Sequence, residues 1–315
     1  MAPLNTRTAA VINPILSNHA RGYHNSTFIS NVLFPRVPVP NRAMSILKFG
    51  KEAFRKLNTR RAPGSNVKRV QYGYGSDTIS LLQDSLEAVV PIEHQQEAEK
   101  VPGIDLGANA VNMVLDVVDL GLEYDAAQLA RTSGNYDANH KLALTGTDRW
   151  SNAASDPGDD IRSANEAIRR FIGRRANVLT LGPSAAAALK NHPKVKEQFK
   201  YVSKDSITLD MLAAFFELEK VIAGDAVYLP EGAADSVQAT DIWGDDAILA
   251  YVPQTGGNFM VPSYGYTYEL LGYPQVEEPY YSRETKSWIY PTTTERRPYL
   301  VGADAGFLFQ NAGAA

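Results

Sequence analysis

Residues 48 to 125 set two opposite charges side by side, and any fold must dispose of both. From Lys48 to Arg69, eight basic residues (Lys48, Lys51, Arg55, Lys56, Arg60, Arg61, Lys68, Arg69) stand against Glu52 alone, a net +7. From Asp77 to Asp125, eleven acids stand against Lys100 alone, a net −10. Such fields pair within one molecule or between copies, and the charges alone leave both options open. The basic half has a recognisable shape. Ala62-Pro63-Gly64-Ser65 suits a type II turn, with Pro and Gly at its central positions. Residues 41–92 then read as a long hairpin, the ascending limb part-helical through Phe49, Ala53 and Leu57. With limbs of about 14 residues it reaches roughly 45 Å, further than a compact domain of this size comfortably covers.

The acidic half reads as a rod. Ala110, Val111, Val114, Leu115, Val118, Leu122 and Leu129 recur at three- and four-residue steps, which predicts a helix over 105–131 with Asp105 at its N-terminus. Asp116, Asp119, Glu123 and Asp125 are then available to a partner. Arg60, Arg61, Lys68 and Arg69 on the hairpin, with Asp116, Asp119 and Glu123 on the helix, are the candidate contact residues between copies. Residues 1–40 read as an arm, because Pro3, Pro14, Pro35, Pro38 and Pro40 forbid long helices. Its apolar run Phe28, Ile29, Val32, Leu33, Phe34 needs cover, which a neighbouring subunit could supply.

From Asp156 the pattern turns α/β. Asp156-Pro157 opens a helix through Ile161, Ala164, Ile168 and Ile172. Asn177 to Leu181 reads as a buried strand, Pro183 and Pro193 each open a helix, and Thr208 caps another. Strands follow at 226–229 and 247–252. The tail from Tyr264 to Phe309 reads as β-hairpins. Eight of the sixteen tyrosines fall there, which suggests a sheet offering polar tips to neighbours.

Composition narrows the chemistry. At 315 residues with 44 % hydrophobic and 21 % charged residues, the chain can bury a real core. Its net charge of −4 argues against a dedicated duplex-DNA binder. With no cysteine, disulfides and thiolate metal sites are excluded. The early apolar stretches are too short and broken for a signal peptide or membrane span. The five histidines show no HxxxH or HExxH spacing, and no phosphate loop or nucleophile elbow is present. The acid pairs Asp159-Asp160 and Asp245-Asp246 read best as a helix first turn and a loop. The basic run 48–69, with Phe49, Phe54, Tyr72 and Tyr74 nearby, reads as a nucleic-acid surface, a solvated face or, most sharply, a surface docked on an acidic neighbour. The arginines Arg162, Arg169, Arg170, Arg174 and Arg175 have salt bridges as their default reading.

Four stretches then carry a likeness to a known family. They are NSTFISNVLFPRVPVP (Asn25 to Pro40), TRRAPGSNVKRVQYGYGS (Thr59 to Ser76), NVLTLGPSAAAALKNHPKVKEQFKY (Asn177 to Tyr201) and IWGDDAILAYVP (Ile242 to Pro253). Together and in this order they resemble the major capsid protein of tailed bacteriophages, with its Hong Kong 97 type fold. The resemblance implies an α+β chain divided into an N-terminal arm (1–40), an extended β-hairpin loop (41–92), a peripheral domain with a long spine helix and a β-sheet (93–155 and 259–315), and an α/β axial domain (156–258). It implies assembly into hexamers and pentamers of an icosahedral head, not an enzyme, with no cofactor. The implied partners are further copies, a separate scaffolding protein (the chain starts directly with the arm), a portal, decoration proteins, and weakly held double-stranded DNA. The place implied is the virion, after assembly in the bacterial cytoplasm. No trio for covalent cross-linking is assigned. The alternatives are an encapsulin-like nanocompartment shell and an α/β enzyme using Asp245 or Asp246.

Overall fold

Two short helices open the described part of the chain. The computed structural model describes residues 12–23, 25–48, 56, 60, 67, 75–98, 105–200, 207–234, 236–253 and 263–314. Helix α1 spans Pro14–Gly22 and α2 Ser30–Leu33. Asn13 caps α1 by accepting the amides of Ile15 (3.1 Å) and Leu16 (3.0 Å), while Pro14 at the first position has no N–H to satisfy. Strands β1 (Arg36–Val39), β2 (Ala43–Lys48), β3 (Gly75–Ser80) and β4 (Leu82–Pro91) follow, then helices α3 (Ile92–Ala98) and α4 (Leu106–Arg131). Next come β5 (Lys141–Ala143), α5 (Pro157–Ile172), β6 (Val178–Leu181), α6 (Pro183–Asn191), α7 (Pro193–Phe199), α8 (Leu209–Phe215) and β7 (Lys220–Ala223). The chain ends in β8 (Val227–Tyr228), β9 (Thr240–Asp241), β10 (Ala247–Ala250), β11 (Gly265–Leu270), β12 (Gln275–Val276), β13 (Tyr280–Ser282), β14 (Ser287–Leu300) and β15 (Gly306–Gln310).

Helix α4 links two sheets. Asp105 caps it, accepting the amide of Ala108 at 3.0 Å, and 26 residues make a rod of about 39 Å. Its first half packs Ala110, Val111, Val114 and Leu115 against Ala88, Val90, Val276 and Tyr290 of a six-stranded sheet. Its second half packs Ala126, Ala127 and Ala130 against Val178, Ile248, Ala250 and Leu308 of a five-stranded sheet. In the six-stranded sheet, β14 is the axis. β4 runs along one side from Ser287↔Pro91 to Arg296↔Leu82, and β13, β12 and β11 follow one another along the other. β1 adds in parallel to β11. The β2–β3 ribbon presses Ile46 and Ile79 onto Val37, Val39, Tyr266 and Tyr268.

The five-stranded sheet has the order β5-β15-β10-β6-β7. Its strands alternate cleanly: Leu179, Leu181, Leu249, Phe307 and Phe309 face helices α5 to α8, and Val178, Ile248 and Leu308 face α4. The α5 to α8 starts fall where the sequence sets them. Asp156 accepts the amide of Asp159, and Thr208 that of Met211 (3.1 and 3.3 Å).

Four expectations change. Leu82–Pro91 is not a hairpin limb; ten residues pair with β14, so the two-stranded ribbon narrows to β2 and β3. The arm's apolar run is covered by its own chain, with Leu33 and Phe34 wholly buried beside α4. Strand β15 leaves the tail sheet for the α/β sheet, inserted between β5 and β10. Tyr264, Tyr266 and Tyr268 are also buried, so they offer no polar tips outward. Sheet partners distant in sequence decide all of these, and local periodicity is blind to them.

Candidate assembly interface

On α4, Asp116, Asp119 and Glu123 occur at steps of three and four residues, which puts them on one face. That face meets residues 23–36 of the same chain. Asp116 Oδ1 accepts the Tyr23 hydroxyl (2.7 Å) and the Asn25 amide (2.8 Å). Glu123 Oε2 accepts the Ser30 amide (2.8 Å), and Oε1 accepts the Ile29 amide (3.0 Å) and the Trp243 indole (2.7 Å). Glu123 is 0 % exposed. Its carboxylate therefore satisfies the free amides that open α2 while fastening the arm to the helix. Burial, then the Asp116 hydrogen bond, pushes the Tyr23 hydroxyl up to about 12.

Asp119 anchors a buried ionic group. Arg296 Nη2 lies 2.5 Å from its Oδ1 and Arg36 Nη2 lies 3.4 Å away. The Arg296 approach is close but off-axis, so Nε and Nη2 make no aligned hydrogen bond. Glu269 faces Arg296 across the β11–β14 pair. Burial raises the Glu269 carboxyl; Arg36 and Arg296 work against that, and Asp119 adds to it. The group ties arm, helix and sheet into one unit.

This placement corrects the expectation that Asp119 and Glu123 face an adjacent subunit. Both are buried with donors from their own chain, and Asp116 is half-buried with two. The sequence showed their charge but not the backbone amides that α2 aims at them. Arg61, Lys68 and Arg69 lie outside the described residues, and Arg60 is exposed. β2 and β3 pair up to Lys48↔Gly75, so all four belong to the connection leaving the end of that ribbon. Among the described residues of this segment, the acids left exposed are Asp84 and Glu87 on β4, Glu93 and Glu97 on α3, Asp105 at the cap of α4, and Asp125 on α4. Burial and then the charge of Asp84 raise the Asp125 carboxyl, with Arg297 opposing.

The acid pairs considered for catalysis have structural partners. Asp246 accepts Arg131 Nε (2.7 Å) and the Asn311 amide (2.9 Å), and Asp245 accepts the Ser184 hydroxyl. Asp160 accepts the Trp150 indole at 3.0 Å. Among the described residues, Asp137, His140 and Asp304 are close enough to share a cation, but His140 Nδ1 is already joined to Asp137 Oδ1 (2.7 Å). No described helix is long and apolar enough to cross a membrane.

A spine helix joining two sheets, an arm strapped along it and a two-stranded ribbon packed on one of them define an α+β shell-protein fold of the Hong Kong 97 type. Known proteins bear this out. An encapsulin from Synechococcus elongatus shares the fold, with a TM-score of 0.54 at 11 % identity, covering 100 % of this chain and 98 % of that one. A crystal structure of a phage-related protein from Bordetella bronchiseptica superposes with a TM-score of 0.85 at 45 % identity, covering 98 % and 99 %. Residues 135–288 match the family model described as phage major capsid protein E. A major capsid protein of Burkholderia phage BcepMu is 38 % identical over 303 residues, 95 % of each chain. This chain belongs to the phage major capsid protein family, and its place is the virion capsid.

Proposed function

We propose that this chain builds an icosahedral head from hexameric and pentameric rings around duplex DNA. The observation that carries the reading is the 38 % identity to a major capsid protein along 95 % of both chains. The mechanism is assembly: many modest contacts summed over a closed lattice. On this reading the basic connection 49–74 lies on an adjacent copy, meeting acids such as Asp84, Glu87, Glu93 and Glu97. Residues 1–40 act as the arm, 93–155 and 259–315 as the peripheral domain, and 156–258 as the axial domain. The pairing of β4 with β14 and of β15 with β10 moves those two strands across these boundaries. Net acidity suits a wall that holds DNA weakly. A scaffolding protein, a portal and decoration proteins complete the head, and assembly takes place in the host cytoplasm.

Light scattering after size-exclusion chromatography tests this. The chain should elute as megadalton particles; a stable 34.5 kDa monomer at all concentrations would refute it. The encapsulin reading rests on the shared fold alone, and would require an enzyme cargo inside the shell.

A further inference from the structure

A second segregation of charge lies across the five-stranded sheet. On the face covered by α5 to α8, the span Pro157 to Phe199 (α5 to α7) carries eight basic residues against four acids, and α8 with its end adds Asp210 and Glu217. On the opposite face lies the β8–β9 ribbon, where Tyr228 packs edge-on against Tyr124 of α4 (4.8 Å). Residues 225–241, which hold that ribbon, carry four acids and no lysine or arginine.

Both surfaces are unfinished. Along α5, Arg162 and Arg169 have exposed partners within their own helix, Asp159 (3.6 Å) and Glu166 (2.7 Å). Exposed pairs of this kind contribute little to the fold. Arg170 has no ion-pair partner among the described residues. Two adjoining depressions share Arg162 and Glu166. One, of about 400 Å³, is lined by Ser163, Ala167 and Arg170. The other, of about 870 Å³, runs to Phe215 and Phe216 at α8, with Arg175 and Lys194 set among Asp156, Glu197 and Glu217 on its walls, so the basic charge gathers at the α5 end by Arg162 and Arg170; Phe215 is 39 % exposed. On the acidic side, Val227, Leu229 and Val237 are each close to half exposed within eleven residues.

We propose that the β8–β9 ribbon of one subunit seats on the α5–α8 face of the next. Glu231 and Asp241 meet the arginines, and Val227, Leu229 and Val237 cover the apolar floor near Phe215. The two surfaces lie on opposite faces of one sheet, so they cannot meet within one molecule. A contact of this head-to-tail kind closes into a ring when the rotation allows. Asp159 and Glu166 stand among the arginines, which disfavours a phosphate backbone as the occupant and suits a partner carrying its own charge pattern. The inference rests on the shell reading above and names the surfaces that close its rings.

Two variants test it: Arg162→Glu with Arg170→Glu, and Glu231→Lys with Asp241→Lys. Each alone sets like charges against each other, and particle yield should fall about tenfold or more. Both pairs in one chain restore opposite charges at every contact, so yield should recover. An equimolar mixture of the two variants should recover only even-membered rings, because the chains must alternate. Circular dichroism melts of unassembled subunits check that each variant folds. The inference is overturned if either variant assembles like wild type, or if the folded four-site swap does not recover. It is overturned too if the arginine variant assembles normally but its particles release DNA at lower salt, which makes that face a nucleic-acid surface. Wild-type chains that never assemble would instead overturn the shell reading, and this contact with it.

Discussion

Replacing Glu123 with Ala should loosen the arm before it disturbs anything else. The substitution removes the acceptor for three donors: the Ile29 and Ser30 amides and the Trp243 indole. A buried donor left without a partner costs about 1–3 kcal/mol. The two amides regain some water if α2 lifts from α4, so a total of about 4 kcal/mol is expected rather than the full sum. For 315 residues, an unfolding entropy of ~2.1 cal/mol/K per residue turns that into a fall in Tm of about 6 °C. The assay is a thermal melt of freshly purified, unassembled subunits, with limited proteolysis to follow residues 23–36. Glu123→Gln keeps one acceptor and should lose less. If Glu123→Ala melts within about 1 °C of wild type, the carboxylate is not what holds the arm.

Three further outcomes follow from particular contacts. Gly265→Ala would bring a Cβ to 2.4 Å from the Phe34 ring and 2.9 Å from the Tyr299 carbonyl, so the urea midpoint should drop by the equivalent of about 1–3 kcal/mol. Hydrogen bonds from Arg42 to Glu295 (both 2.7 Å) hold the Glu295 carboxyl below the usual range. A folded pKa below the unfolded value gives stability that is full above the ordinary glutamate range, about pH 4, and is lost as pH falls through the lowered value. Arg42→Ala should flatten that part of a stability-against-pH curve, and an unchanged curve would show the pair to be idle. Reversing Arg60 and Arg61 to Glu should lower particle yield and weaken its dependence on salt in sedimentation; unchanged assembly would detach the basic connection from any acidic neighbour.

Local chemistry made much of this fold readable. The α4 seam, the Asp105 cap, the Asp156-Pro157 start and the Thr208 cap are decided within a few residues of themselves, and the structure has each where the sequence puts it. What escaped was long-range. β4 looked like a limb because its outer half is exposed on both faces, and only its pairing with β14, about two hundred residues away, makes it sheet. Asp119 and Glu123 looked like surface acids because their partners are main-chain amides and arginines brought in by the arm and by β14. One signal was available: both sit beside the apolar seam, three and seven residues on from Asp116. The second charge segregation was visible only as an arginine patch, since its acidic counterpart lies across a sheet rather than along the chain.

Electron cryomicroscopy of the purified chain tests the central claim most directly. The account predicts closed shells whose rings of six and five copies are built from this fold, each spine helix crossed by its own arm. Open sheets, tubes or isolated monomers under every condition would contradict it.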